Sequence, residues 1–169
     1  MMGNNQPFVA ILMGSDSDLP VMQATMDLLD KFGIRKEVRI MSAHRTPERT
    51  HAYVKDADNR GCCVFIAAAG LAAHLAGTVA ALTLKPVVGV PMDAGSLKGL
   101  DALLSTVQMP GGIPVACVAI GKAGAKNAGY LAAQIIAIQD TEVADKLRQE
   151  RIENSNTIAA KDDDLQKRG

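Results

Sequence analysis

Two rhythms of apolar and polar positions run along the chain. Short apolar runs read as buried strands: FVAILM (8–13), EVRIM (37–41), CCVFIAAA (62–69), PVVGV (86–90) and PVACVAI (114–120). Between them the apolar period lengthens to that of a helix. In 19–32, Val21, Met22, Met26, Leu29 and Phe32 fall on roughly one side, and Gly33 supplies a stop. The same pattern predicts helices over 47–59, where Gly61 follows, and over 72–84, 99–107 and 123–139. A charged helix begins near 142.

Five strands, each followed by a helix, imply a parallel sheet covered on both faces. The near-continuous apolar character of the first, third and fifth runs fits that burial. Right-handed crossovers then give a three-layer αβα sandwich, a flavodoxin-like doubly wound five-stranded parallel sheet of order 2-1-3-4-5, with a further C-terminal helix. Too few units are present to close an eight-fold barrel. Neither a repeat nor an interdomain linker interrupts the pattern, so 1–160 reads as one flavodoxin-like domain and KDDDLQKRG (161–169) as a frayed end. The segment AGYLAAQIIAI (128–138) is apolar or small almost all round. An outer helix should keep one wet face, so this one is expected at a subunit interface, and its small residues permit close helix packing.

Composition narrows the function classes. The 169 residues can bury a sizeable core. Eighteen Lys and Arg balance eighteen Asp and Glu, so nothing points to nucleic acid or an anionic membrane surface. No charged-then-apolar leader and no apolar run of bilayer length stands in the sequence, so a soluble cytoplasmic protein is expected. The three cysteines, Cys62, Cys63 and Cys117, form no CxxC and no even framework, and read as small buried hydrophobes.

In an open parallel sheet, ligands bind beyond the carboxyl ends of the strands, where the strand order reverses. That selects the loops after the first three strands: GSDSD (14–18), SAHRT (42–46) and GLAAH (70–74). Gly14 permits a sharp turn, after which backbone N–H groups and the Ser15 hydroxyl can hold an anion at a helix start. Asp18 either accepts from ribose hydroxyls or caps the helix that follows. The GSDSD loop is neither GxGxxG nor a P-loop. In the second loop Thr46 can cap and Pro47 suits a first helical turn, which sets Arg45 beside any anion held there. His44 is either a proton acceptor, kept neutral by the adjacent guanidinium, or a histidine bonded to backbone. His74 either faces a ligand or caps its helix. His44 and His74 have no cysteine or carboxylate at ligand spacing, so no metal is expected.

Taken together, MGSDSD, SAHRTPER, AGLAAHLAG, VVGVP, STVQMPGGIPV and AIGKAGAKNAGYLAAQI, in this order over roughly 9–139, resemble the N5-carboxyaminoimidazole ribonucleotide mutase family of purine biosynthesis. The resemblance implies a flavodoxin-like fold, a homo-octamer with sites at subunit boundaries, and a small ribonucleotide substrate. It implies phosphate and ribose contacts by Ser15, Asp18, Ser42 and Arg45, and proton transfer by His44. Gly70, Ala72, His74 and Leu75 would line the base and carboxylate site, with QMPGGIPV nearby. Members often carry Trp in place of Leu19, a second Gly in place of Leu71 and Pro in place of Ala76. Relatives that carboxylate directly with CO2 tend to have Lys after the motif histidine, so Arg45 favours the mutase branch.

The chemistry implied is modest. Decarboxylation at N5 leaves aminoimidazole ribonucleotide, whose enamine carbon C4 recaptures CO2, and one histidine can shuttle the proton without cofactor. Direct carboxylation by CO2 is the alternative enzyme. A non-catalytic flavodoxin-like nucleotide-binding module is the alternative outside catalysis. A phospho-receiver needs an aspartate where this chain has Ala68-Ala69-Gly70. A flavin carrier needs aromatic rings that the loops lack.

Overall fold

The computed structural model describes residues 7–167. Five parallel strands, β1 (Phe8–Met13), β2 (Lys36–Ile40), β3 (Cys62–Ala69), β4 (Val87–Pro91) and β5 (Ala116–Cys117), pair in the order β2-β1-β3-β4-β5. The helices are α1 (Leu19–Lys31), α2 (Pro47–Asn59), α3 (Leu75–Ala80), α4 (Leu100–Val107), α5 (Gly121–Ile136) and α6 (Thr141–Gln166). The expected flavodoxin-like topology is therefore the observed one. No helix among the described residues is long and apolar enough to cross a membrane.

Side-chain alternation along β1 divides the core in two. Val9, Ile11 and Met13 join Val64, Ile66 and Ala68 of β3 beneath α1 and α5. Phe8, Ala10 and Leu12 join Phe65 and Ala67 beneath α2 and α3. Every residue of β1 is buried, which explains why FVAILM carries no polar position. Near the start of β1 the register slips. Phe8 pairs with Cys62 and Val9 with Val64, so Cys63 is an extra residue and its thiol donates to the Phe8 carbonyl at 3.1 Å. All three cysteines are free.

Three elements differ from the sequence pattern. The helix expected over 72–84 spans only Leu75–Ala80. Just before it Leu71 takes φ 56°, Ala73 N–H is spent on the Ser105 hydroxyl, and Thr83 turns the chain by accepting from Lys85 N–H and bonding Asp58. The fifth strand keeps two paired residues of an expected seven-residue run. It lies at the sheet edge with Ala116 exposed, so its apolar character is not explained by burial within this chain. At the C-terminus, α6 continues through 161–166 where a frayed end was expected; the final residues 168–169 lie outside the described part.

Helix α5 uses its small residues internally. Gly124, Ala125, Ala128, Gly129, Ala132 and Ala133 are its buried face, and a Cβ on Gly129 would stand 2.8 Å from Leu28 of α1. The Thr25 hydroxyl donates to the Ala125 carbonyl at 2.6 Å, closing the α1–α5 contact. On the other face, Gly89 of β4 lets α3 and α4 approach the sheet. A Cβ there would meet Thr106 Cγ2 at 2.4 Å, Val115 Cγ1 at 2.9 Å and Ala76 Cβ at 3.3 Å. Gly89→Ala is accordingly expected to cost about 2–3 kcal/mol through overpacking, read from denaturant midpoints; an unchanged midpoint would show that α4 yields freely.

Candidate active site

Hydrogen bonds between the strand ends begin the site. Met41 N–H donates to the Met13 carbonyl at 2.7 Å, Gly14 N–H to Ala68 at 2.9 Å, and Met92 N–H to Ala69 at 2.9 Å. The carboxyl ends of β2, β1, β3 and β4 are thereby stitched side by side, and the loops they release share one cavity of about 470 Å³.

The first loop is a single 3-10 turn, Asp16–Asp18, closed by a reciprocal capping box. Ser17 N–H donates to the Ser15 hydroxyl at 3.3 Å, and Ser15 N–H donates to Asp18 Oδ2 at 3.1 Å. Asp18 thus holds the turn, yet makes no side-chain cap for α1 itself. Its carboxyl is buried, and that burial holds it above the ordinary carboxylate range. The Ser15 N–H and the Arg45 guanidinium pull the other way.

The second loop is tied to itself and to the first. Thr46 does not cap α2 through its side chain. Its hydroxyl instead accepts from Ser42 N–H at 3.0 Å and donates to the Ser42 carbonyl at 3.1 Å, while the Ser42 hydroxyl accepts from Arg45 N–H at 3.1 Å. Pro47 then begins α2, as its fixed φ favours. Arg45 Nη2 reaches across to donate to the Gly14 carbonyl at 2.7 Å. A guanidinium so placed faces the Ser15–Asp18 turn, where it offers an anion its charge.

The third loop brings the second histidine. His74 occupies the cap position of α3 but does not cap it with its side chain. Its Nδ1 lies 2.7 Å from Nε2 of His44, the rings edge to face at 80°. One nitrogen of this pair must donate and the other accept, so the two imidazoles share a hydrogen. Neither alternative raised by the sequence, a backbone-bonded His44 or a capping His74, describes this arrangement. The loop is held from behind by Ser105 of α4, whose hydroxyl accepts from Ala73 N–H at 3.0 Å and donates to the Asp101 carbonyl at 2.7 Å.

All nine residues singled out in the sequence, Ser15, Asp18, Ser42, His44, Arg45, Gly70, Ala72, His74 and Leu75, line the cavity. Among the described residues no further His, Cys, Asp or Glu joins the histidine pair in a metal-binding set. QMPGGIPV does not line the cavity; it packs behind it, with Met109 Sδ near Gly77 of α3. The wall that sequence reasoning missed is the loop after β4, which contributes Ala94. A Cβ on Gly70 would come within 2.9 Å of Ala94 Cβ, so the two loops interlock through small residues. The polar side chains of that loop, Asp93, Ser96 and Lys98, do not line the cavity, and only the small-residue run AGS (94–96) hints at close approach.

Comparison with known proteins converges on one family. A family model described as AIR carboxylase matches residues 8–157. An N5-carboxyaminoimidazole ribonucleotide mutase of Pyrococcus horikoshii is 55% identical over 147 residues, 87% of this chain and 82% of its own. Its Bacillus subtilis counterpart is 49% identical over 160 residues, 95% of this chain and 99% of its own. The crystal structure of Treponema denticola PurE superposes with a TM-score of 0.85 at 34% identity, over 94% of this chain and 98% of that one.

The buried carboxyl of Asp18 sets a pH signature. Because its folded value is raised, the folded chain holds the proton more tightly, and stability falls as pH rises from the ordinary carboxylate range through the raised value. Asp18→Asn is expected to leave the thermal midpoint unchanged or higher at neutral pH, with the difference from wild type shrinking below the carboxylate range. Thermal unfolding across pH 3–8 checks this; a midpoint lowered at neutral pH would show that the charged carboxylate stabilises the turn.

Proposed function

The chain belongs to the AIR carboxylase family, and from that membership we propose that it acts as an N5-carboxyaminoimidazole ribonucleotide mutase. It moves the carboxyl group from N5 to ring carbon C4, giving 4-carboxy-5-aminoimidazole ribonucleotide in purine biosynthesis. The observation that carries the reading at this chain's own residues is the cavity in which a histidine pair, a guanidinium and a Ser–Asp turn meet.

Each part has a task. Arg45, Ser15 and Ser42 hold the phosphate at the turn between β1 and α1, and Asp18 accepts from the ribose hydroxyls. That anchorage fixes the imidazole ring against His44, so orientation supplies much of the rate. The His44 imidazolium gives a proton to N5 as the N–C bond of the carbamate breaks. The bonding pair stays on nitrogen and CO2 is released into the cavity. C4, nucleophilic as an enamine carbon, attacks CO2 and forms the new C–C bond. The hydrogen left on C4 passes as a proton to the now neutral His44, restoring the aromatic ring and the imidazolium. One proton is given and one returned. His74, hydrogen-bonded to His44, holds the ring in place.

The proposal includes assembly as a homo-octamer and a cytoplasmic location. Support for assembly lies in the exposed apolar edge Leu97, Leu100, Leu104 and Val107, on and before α4, which a monomer would leave wet. Light scattering is expected to give the mass of eight chains; a monomer's mass would contradict the assembly.

Two kinetic tests address the chemistry. Offered N5-carboxyaminoimidazole ribonucleotide or aminoimidazole ribonucleotide with CO2, the protein is expected to turn over the first with much higher kcat/KM. Turnover of the second alone would make it a direct carboxylase. His44→Asn is expected to lower kcat by about 100–10,000-fold while nucleotide binding persists. Retained turnover would move the proton role to another group.

A further inference from the structure

Ser105 of α4 does not line the cavity, yet it holds the loop that brings His74 there. Its hydroxyl hydrogen goes to the Asp101 carbonyl at 2.7 Å, one turn back in the same helix, with the Ala102 carbonyl at 3.3 Å as a weaker second acceptor. That leaves an oxygen lone pair for Ala73 N–H, 3.0 Å away. Serine is a weaker helix former than alanine, so α4 gives up propensity at this position. Ala73 is only 2% exposed, so its amide depends on a protein partner. Among the described residues, this is the one hydrogen bond that ties the backbone of 71–74 to any part of the chain outside the loop and α3. Close packing of Gly70 on Ala94 and of Leu71 on Gly95 completes the support, with Leu71 at the costly φ of 56°.

We propose that Ser105 is a positioning residue for the histidine pair, acting on His44 through Ala73 and His74. The inference rests on the mutase reading for what is assayed, and adds to it a residue outside the cavity. Ala73 and His74 are consecutive, so a shift of one rigid peptide unit carries the next Cα with it. The imidazole follows, because only Cβ and Cγ separate Nδ1 from the backbone. His74 Nδ1 lies 2.7 Å from His44 Nε2, and a hydrogen bond is gone beyond about 3.5 Å, so a slip of roughly 1 Å in the loop uncouples the rings. Ser42 and Arg45 fix the backbone on either side of His44, but among the described residues its ring has no other hydrogen bond. An uncoupled ring turns about its side-chain torsions, and the proton that passes between His44 and the substrate then starts from the wrong place. Ser15, Asp18, Ser42 and Arg45 stand on the other two loops, so nucleotide binding does not pass through Ser105.

Ser105→Ala removes the oxygen and leaves a better helix former in its place. Its thermal midpoint is expected to stay near that of wild type. With N5-carboxyaminoimidazole ribonucleotide, its kcat is expected to fall about 10–100-fold and its KM to move by no more than about two-fold. Ser105→Thr keeps the oxygen, and Thr106 shows that α4 accommodates the same back-bond from a threonine, so kcat is expected to return close to wild type. A double-mutant cycle separates positioning from a general weakening of the fold. In a His74→Ala background, Ser105→Ala is expected to change kcat by less than about two-fold. A crystal structure of Ser105→Ala is expected to show His74 Nδ1 more than about 3.5 Å from His44 Nε2. Wild-type kcat in Ser105→Ala, an equal loss on both backgrounds, a failure of Ser105→Ala to fold, or an unchanged contact between the two rings in its crystal structure would overturn the inference. Wild type that converts neither this substrate nor aminoimidazole ribonucleotide with CO2 would overturn the functional reading, and the ring contact in the crystal would then decide the positioning by itself.

Discussion

Every strand of the sheet runs in one direction and β1 lies between β2 and β3, so three loops far apart in sequence leave the sheet at one place. No single element of this chain carries a site. Residues 15, 44 and 74 meet only because the crossovers to β2 and to β3 pass on opposite sides of β1. The buried run FVAILM enforces that position, since each face of β1 is covered by a different helix pair. The cavity is a consequence of topology before it is a consequence of chemistry.

What converts three adjacent loops into a site of fixed geometry is their mutual bonding. Arg45 binds the Gly14 carbonyl, Thr46 closes on Ser42, Asp18 on Ser15, and His74 on His44. These groups are held before any ligand arrives, which is how a site avoids reorganisation during reaction. The arrangement carries costs of two kinds. Asp18 is a carboxyl kept buried, and Leu71 is a branched residue kept at positive φ. Both lie in the cavity wall, and departures from local preference collect where function requires them.

Much of this was legible in the sequence, and the failures are informative. Strands β1 and β3 stand as the apolar runs predicted, because a central strand of a parallel sheet needs apolar side chains on both faces. The run PVACVAI has the same look but lies at an edge, so its apolarity brought pairing over only two residues, Ala116 and Cys117. The helix expected from residue 72 begins at Leu75, because AGLAAH satisfies a helical period while Leu71 adopts a conformation that periodicity cannot reveal. Polar residues of the three loops announced themselves by type. Ala94 and Gly95 did not, since their contribution is the absence of side-chain bulk, and bulk matters only once the neighbouring loop is known.

A crystal structure of the protein with aminoimidazole ribonucleotide bound tests the central claim most directly. The expected result is the phosphate against Arg45 and the Ser15 turn, with a ring nitrogen of His44 within hydrogen-bond reach of N5 or close to C4. A nucleotide seated elsewhere, or a His44 ring turned out of the cavity in the complex, would contradict the claim that these loops form one reaction site.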